Sequence, residues 1–165
     1  MGEIDLYIAN DHSWDGRIAE NTSGVLLNDF KEAPKGSVVI FNHRATTQDN
    51  EIDDKIFLVD EPFIYFYLDG DKPVPFQGCF LISRIPRKKY NSELVHIPDG
   101  WNETHYDNIF KIERGPRGIS NFNEGQIVIA HRYSDYEIPY AVDGVHMSAI
   151  RLKEDDILAL SQTEL

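Results

Sequence analysis

The sequence predicts an all-β protein, folded as a sandwich or as small barrels, and three observations support this. Short apolar runs recur along the 165 residues, and turn residues separate them. Aromatic residues make up 12% of the chain and stand beside Ile and Val, which favours strands over helices. Helical periodicity is weak except over residues 153–162, where a short helix and a terminal strand fit the pattern equally well.

The predicted strands are short and are bounded by Gly, Pro and Asp. Residues 38–41 follow the turn Pro34-Lys35-Gly36, and the aromatic run of residues 63–68 ends at an Asp-Gly-Asp turn. Strands of this length and spacing are typical of sandwiches and small barrels. The other predicted strands are residues 55–59, 80–85, 106–113, 126–130 and 149–152.

An internal repeat divides the chain into two halves. Residues 35–44 and 124–132 share a glycine, an apolar strand and a His-Arg pair, at an offset of 89 for the glycines and 88 for the pairs. Residues 63–66 match residues 149–152 less closely, at an offset of 86. Three blocks in one order predict duplication of a unit of about 80 residues. We place the two units at residues 1–72 and 73–165.

Charge and hydropathy exclude two classes of partner. The chain has 28 acidic and 16 basic side chains, for a formal charge of −12, and such a surface repels nucleic-acid phosphates. Its densest basic cluster, Arg84, Arg87, Lys88 and Lys89, is too short to offset this charge. No apolar run reaches the roughly 18–20 residues of a membrane helix, and no leader peptide is evident. We therefore expect a cytoplasmic protein that binds neither nucleic acid nor membrane.

No sequence motif points to catalysis, a metal or a cofactor. The single cysteine, Cys79, rules out an internal disulfide, and no Cys/His spacing matches a zinc site. His43 and His131 end the repeated strands and are interpreted as polar residues leaving a strand. Catalytic nucleophile motifs and glycine-rich phosphate loops are absent from the sequence. We therefore expect a protein that is not an enzyme and has no cofactor and no metal site.

From Cys79 onward the sequence resembles the small co-chaperonins of the GroES type. Residues 80–84 resemble the family's opening strand, an apolar run closed by a basic residue, and Gly115-Pro116 matches a Gly-Pro of the family. Residues 156–159 read Asp-Ile-Leu-Ala, like the family's closing segment. The resemblance lies in the order and spacing of such motifs over about 80 residues. The remaining matches are residues 94–99, 109–115, 123–129 and 143–152.

The resemblance implies two small Greek-key-type barrels in tandem, of which the first is divergent. That first copy has no evident closing Asp-Ile-Leu-Ala segment, since residues 71–75 read Asp-Lys-Pro-Val-Pro. The implied function is that of a non-enzymatic ring subunit that caps or modulates a chaperonin. The alternative is the same fold used as a structural or assembly module, for example in a virus particle, because one fold serves many functions.

The resemblance also implies two binding surfaces. In the family an apolar loop tip docks on the chaperonin, and the closing segment pairs with the opening strand of the next subunit. The docking tip falls on Leu94, Val95 and Ile97, between Pro86 and Pro98. In the first copy, either residues 15–18 or residues 23–28 can be matched to the family, and the two placements exclude one another. The corresponding partner-binding residues are placed on Val25, Leu26 and Leu27. The subunit interface of the expected homo-oligomeric ring falls on Ile157, Leu158, Ala159 and Leu160.

Overall fold

The computed structural model describes residues 6–9, 22–46, 50–87 and 105–161. These residues form antiparallel strands, turns and short 3-10 helices, and no α-helix occurs among them. The prediction of an all-β protein is therefore confirmed. The strands form two open sheets, and neither closes into a barrel within the described ranges. None of the helices in those ranges is long and apolar enough to span a membrane.

The first sheet contains seven strands, all from the first half of the chain. They are β1 (Leu6–Ala9), β2 (Ser23–Leu26), β3 (Val38–Phe41), β4 (Glu51–Asp53), β5 (Ile56–Val59), β6 (Ile64–Asp69) and β7 (Lys72–Pro75). Their spatial order is β4-β5-β1-β2-β3-β6-β7.

The second sheet contains six strands from the second half. They are β8 (Cys79–Pro86), β9 (His105–Arg114), β10 (Ile127–Ala130), β11 (Tyr136–Val142), β12 (Val145–Lys153) and β13 (Ile157–Leu160). Their spatial order is β11-β12-β8-β9-β10-β13.

The second sheet repeats the strand order of the first. In each sheet the fourth and fifth strands form a hairpin beside the first strand, and the sixth strand, here called the closing strand, pairs with the third. The closing strands are β6 and β13. In the strand order, β7 alone has no counterpart among the described residues of the second sheet.

Local details are also repeated. The third strands follow Gly36 and Gly125, whose φ angles of +90° and +87° are in the left-handed region that glycine favours. A 3-10 helix precedes each closing strand, Glu61–Phe63 in the first sheet and Glu154–Asp156 in the second. The ladder between third and closing strands shifts register at the corresponding step, between Ile40 and Phe41 and between residues 129 and 130. The segments 36–42 and 125–131 thus occupy equivalent positions.

The structure corrects the alignment of the repeat at two places. The backbone N–H of Asn42 bonds to the Phe63 carbonyl as that of His131 bonds to the Asp156 carbonyl, so Asn42, not His43, is the counterpart of His131. Residues 63–66 do not correspond to 149–152, because β6 pairs with β3 whereas β12 pairs with β8 and β11. Their counterparts are residues 156–159, at an offset of 93. The first copy therefore has a closing strand after all.

Three apolar clusters hold the sheets together. One lies within each half, around Val39 and Phe41 in the first and around Phe80 and Phe110 in the second. The third joins the two sheets, with the rings of Phe66 and Tyr140 5.2 Å apart and nearly perpendicular. The β3 sequence is apolar throughout because its residues alternate between the first cluster and the joining one.

Polar contacts tie the same two sheets at their margin. Arg117, in the loop after β9, forms an ion pair with Asp69 at the end of β6. Its backbone carbonyl accepts a hydrogen bond from the Gln77 Nε2 at 2.7 Å. The Arg114 Nη1 donates to the Pro73 carbonyl at 3.3 Å. These contacts fix the β9–β10 loop against the segment that joins the two halves.

Candidate partner-binding surfaces

The predicted docking residues divide into three groups in the structure. Leu94, Val95 and Ile97 lie outside the described residues. Val25 and Leu27 are 41% and 38% exposed. Leu26, between them, is 1% exposed and packs in the first cluster. This burial corrects the assignment of Leu26 to a docking surface, since strand β2 points alternate side chains to opposite faces.

The strand order distinguishes between the two placements of the family match in the first copy. Residues 23–26 form β2, which pairs with β1 and β3 as the second strand of its sheet. The connection between first and second strands is therefore residues 10–22, and its counterpart in the second half is residues 87–104. Residues 15–18, not 23–28, correspond in chain order to the segment that contains Leu94. Most of both connections (residues 10–21 and 88–104) lies outside the described ranges.

The closing strand β13 has one free edge. It pairs with β10 on one side, and no strand in the described part of the chain pairs with its other side. Leu158 and Leu160 on this strand are 58% and 44% exposed. A free edge with exposed leucines is a site where another strand can add. The predicted interface residues Ile157, Leu158, Ala159 and Leu160 thus lie at the margin of the second sheet.

The other three sheet edges carry features that oppose strand addition. The outermost strand on one side of the first sheet is β7, with Pro73 and Pro75, and proline offers no N–H to a neighbour. Pro139 lies within edge strand β11 of the second sheet. Strand β4 is three residues long, irregular in register, and carries two acidic side chains, those of Glu51 and Asp53. Strand β13 has no proline and no acidic side chain, although its ladder with β10 also shifts register.

A tyrosine pair lies between the two sheets. The Asn42 Nδ2 donates to the Tyr65 hydroxyl at 2.8 Å, and the rings of Tyr65 and Tyr136 are 5.6 Å apart. The Arg151 guanidinium lies 4.7 Å from the Tyr65 ring centre. Burial, with a hydrogen bond to Tyr136, raises the pKa of Tyr65 to about 12, against the opposing hydrogen bond from Asn42. Tyr65 therefore stays protonated at neutral pH and contributes to cohesion of the sheets.

A cleft of about 530 Å³ lies on the second sheet among β8, β9 and β12. The Ser83 hydroxyl in it donates to the Glu113 carboxylate at 2.6 Å. The Arg84 Nε bonds to the Asp135 carboxylate at 2.8 Å, and this hydrogen bond raises the pKa of Arg84. The Ser83 and Glu113 side chains in the cleft are therefore paired with each other, and Arg84 is paired with Asp135 beside it.

The remaining candidate groups are dispersed. Cys79 is half-buried, and burial raises the pKa of its thiol, so the reactive thiolate is disfavoured. The side chain of His131 is exposed at the end of β10, and that of His43 is not described. In the described ranges, no three His, Cys, Asp or Glu side chains are grouped so as to hold a metal ion.

No model of a known protein family matches this chain, and no curated protein sequence matches it. The features on which a function can be based are therefore those of the chain itself. They are the repeated strand order, the free edge of β13 and the exposed apolar side chains near it. The free edge and the exposed side chains lie at the margin of the second sheet.

Proposed function

We propose that the protein is a non-enzymatic, co-chaperonin-like ring subunit that caps or modulates a chaperonin. The observation that supports this most directly is the repeated order of six strands, together with the repeated glycine turn and the repeated 3-10 helix before each closing strand. It supports two tandem copies of one unit, the first of them divergent. Each copy is then an open variant of the small barrel that the sequence resemblance implies.

The position of β7 supports the ring. Three residues separate strand β7 from β8, the opening strand of the second copy, and β7 pairs with β6, the closing strand of the first. The resemblance implies the same pairing of closing and opening segments between neighbouring subunits. One chain would then contain two subunit-like units already joined, and β13 is the closing strand left for the next chain.

Co-sedimentation with a chaperonin ring, with and without nucleotide, tests the proposal. We expect the wild-type chain to bind the ring and the triple variant Leu94→Ala, Val95→Ala, Ile97→Ala to lose binding at an unchanged melting temperature. The matched control is Ile119→Ala, which removes an apolar side chain that is 95% exposed in the loop after β9. A triple variant that still binds, or one that melts many degrees lower, would count against a docking role for these residues.

The second candidate is a structural or assembly module, and the free edge of β13 favours it independently of the docking loop. Such a module needs self-association but no chaperonin. A wild-type chain that forms stable oligomers yet never binds a chaperonin ring under any nucleotide condition would therefore replace the first proposal with the second.

A further inference from the structure

We propose that the cleft on the second sheet binds an extended peptide segment that carries a carboxylate. The peptide pairs as an added strand with the backbone of the strands that line the cleft. The proposal does not depend on the proposed function, because it concerns the interior of the second sheet rather than its outer edge or a docking loop. It rests on the place where strands β8 and β12 separate.

Strands β8 and β12 pair along only part of their lengths. Their ladder runs from Cys79 and Lys153 to Ile82 and Ile150, and it ends there. Beyond it, residues 83–86 of β8 continue beside β9, and residues 145–149 of β12 lie beside β11. Within the described ranges no strand lies between these two segments. Each segment therefore has a strand neighbour on one side only.

The cleft of about 530 Å³ lies at this separation. Ser83 and Arg84 line it from β8, and Ser148 and Ala149 line it from β12. Its volume is within the roughly 300–1,000 Å³ that is typical of ligand clefts. An extended backbone has N–H and C=O groups at the regular spacing that a strand edge requires, and a compact small molecule does not. The edges along the cleft therefore favour a peptide.

The corresponding strands of the first sheet do not separate. Strand β5, the counterpart of β12, pairs with β1 through all four of its residues, Ile56–Val59. Strand β12 has nine residues, and four of them pair with β8. The residues that β12 has in excess of β5 are those that extend past the ladder into the cleft. The cleft is therefore a feature of the second half and not of the repeated unit.

The charges in the cleft indicate which peptide it binds. The chain has a formal charge of −12, yet two guanidinium groups and one carboxylate line the cleft. Arg114 is half-buried, and its Nη1 donates a long bond of 3.3 Å to the Pro73 carbonyl. No carboxylate in the described part of the chain forms an ion pair with Arg114. A guanidinium has five N–H donors, so Arg114 can bind a carboxylate of the peptide through two of them. The titratable groups that line the cleft are Arg84, His105, Glu113 and Arg114.

Exposed apolar side chains continue along β12 beyond the cleft. Val145 is 62% exposed and Met147 is 41% exposed. Both lie on the same side of the strand as Ala149, because side chains alternate. Side chains of paired strands contact one another across the ladder, and the flexible Met side chain adapts to different neighbours. The peptide is therefore one that alternates apolar and polar residues and has a carboxylate near Arg114.

Fluorescence anisotropy with synthetic peptides tests the proposal. The probe is a pool of peptides of about seven residues, long enough to span either segment at roughly 3.3 Å per residue. Val and Thr alternate in them, one Glu occupies each position in turn, and both ends are blocked. We expect these peptides to bind the wild type, and binding to be lost when Lys replaces Glu or when the backbone amides are N-methylated. A peptide without Glu but with a free terminal carboxylate shows whether a chain end is bound instead. Binding of neither kind of carboxylate would overturn the proposal.

Three variants locate the site. Arg114→Gln should weaken the binding of the Glu peptides about tenfold, through loss of a charge-assisted hydrogen bond. Ser148→Trp, at an exposed position, should abolish binding because the indole fills the cleft. Lys153→Gln removes one positive charge from the other end of β12 and is the matched control, which should bind like the wild type. Bound peptide should also slow amide hydrogen exchange in residues 83–85 and 147–149.

Several results would contradict the proposal. They are an Arg114→Gln variant that binds as tightly as the wild type, N-methylated peptides that bind like the parent peptides, and hydrogen exchange that the peptide leaves unchanged. If Ser148→Trp fails to fold by circular dichroism, Arg114→Gln and the N-methylated peptides decide the outcome.

Discussion

The two closing strands, β6 and β13, hold the same place in the same strand order, yet their surroundings differ. Strand β6 lies between β3 and β7, and its residues Tyr65, Phe66 and Tyr67 are buried. Among the described residues, strand β13 has a neighbour on one edge only; its Ile157 packs against the core of the second sheet, and its other three side chains are exposed. A shared strand order therefore does not fix burial. Side-chain size follows what packs on the strand, and the two leucines of β13 are exposed among the described residues.

The two closing strands should differ most in the free energy of unfolding that is lost when a side chain is truncated. Phe66→Ala removes a ring that is fully buried between the sheets and should lower the free energy of unfolding by about 3–5 kcal/mol. Leu158→Ala, measured at low protein concentration, should cost less than about 1 kcal/mol because its side chain is already in water. Urea unfolding measures both. Equal losses would show that β13 is as well covered as β6 in the single chain.

Substitutions in the two glycine turns should lower the free energy of unfolding equally, in contrast to substitutions in the two closing strands. Gly36→Ala and Gly125→Ala each place a Cβ at a φ near +90°, which should cost about 1–2 kcal/mol in either half. No atom within 4 Å of either new Cβ adds a clash, so backbone conformation alone decides the cost. Gly115→Ala is the control, since its Cβ meets the Phe80 ring at an ordinary 3.6 Å. Costs that differ between the halves by more than about 1 kcal/mol would break the equivalence of the turns.

Tyr65 should make the contact between the sheets sensitive to alkaline pH. Its pKa is raised to about 12 in the fold, from 10.0, chiefly by burial. The stabilisation from the protonated hydroxyl is therefore complete below pH 10 and is lost as pH rises from 10 to 12. Tyr65→Phe should cost about 1 kcal/mol at pH 7, through the lost bond from Asn42, and should flatten the decline above pH 10. Unfolding by urea at pH 7 and from pH 9 to 12 measures both effects. An unchanged alkaline slope would show that Tyr65 is not responsible.

The neighbouring Tyr67 should give the smallest effect. Its hydroxyl is buried and has no hydrogen-bond partner among the described residues. Since an unsatisfied buried hydroxyl contributes no stability, Tyr67→Phe should be neutral or slightly stabilising. Thermal unfolding of Tyr67→Phe and Tyr65→Phe measures the difference between two positions that are two residues apart. A loss of about 1 kcal/mol or more in Tyr67→Phe would reveal a partner for that hydroxyl.

Most strands were predictable because their signals are local. The turns before β3 and β10 need the backbone freedom of Gly36 and Gly125, and the apolar runs after them are unambiguous. The matching of residues 63–66 to 149–152 failed because a short apolar run fits several strands of a repeat equally well. Only the pairing of strands distinguishes between such matches. Strand pairing depends on residues that are distant in the chain.

The burial of individual side chains within the predicted strands was missed for a related reason. Alternation along β5 predicts that Leu58 and Phe57 face opposite ways, but it does not say which side another sheet covers. The same limit explains Leu26, whose sequence neighbours are exposed while it packs in the core. An edge such as that of β13 is likewise visible only when the strand order is known.

The sequence by itself determined the all-β class and the repeated strand with its glycine turn, whereas residues 157–160 fitted a short helix and a strand equally well. Each of these depends on backbone preference or on the order of residues within a few positions. Only the tertiary structure decided that β6 is the first closing strand, that β7 covers it, and that the sheets meet through Phe66 and Tyr140. Those outcomes depend on contacts between residues far apart in the chain. Local strand propensity carries no information about which distant residues pack on a given strand.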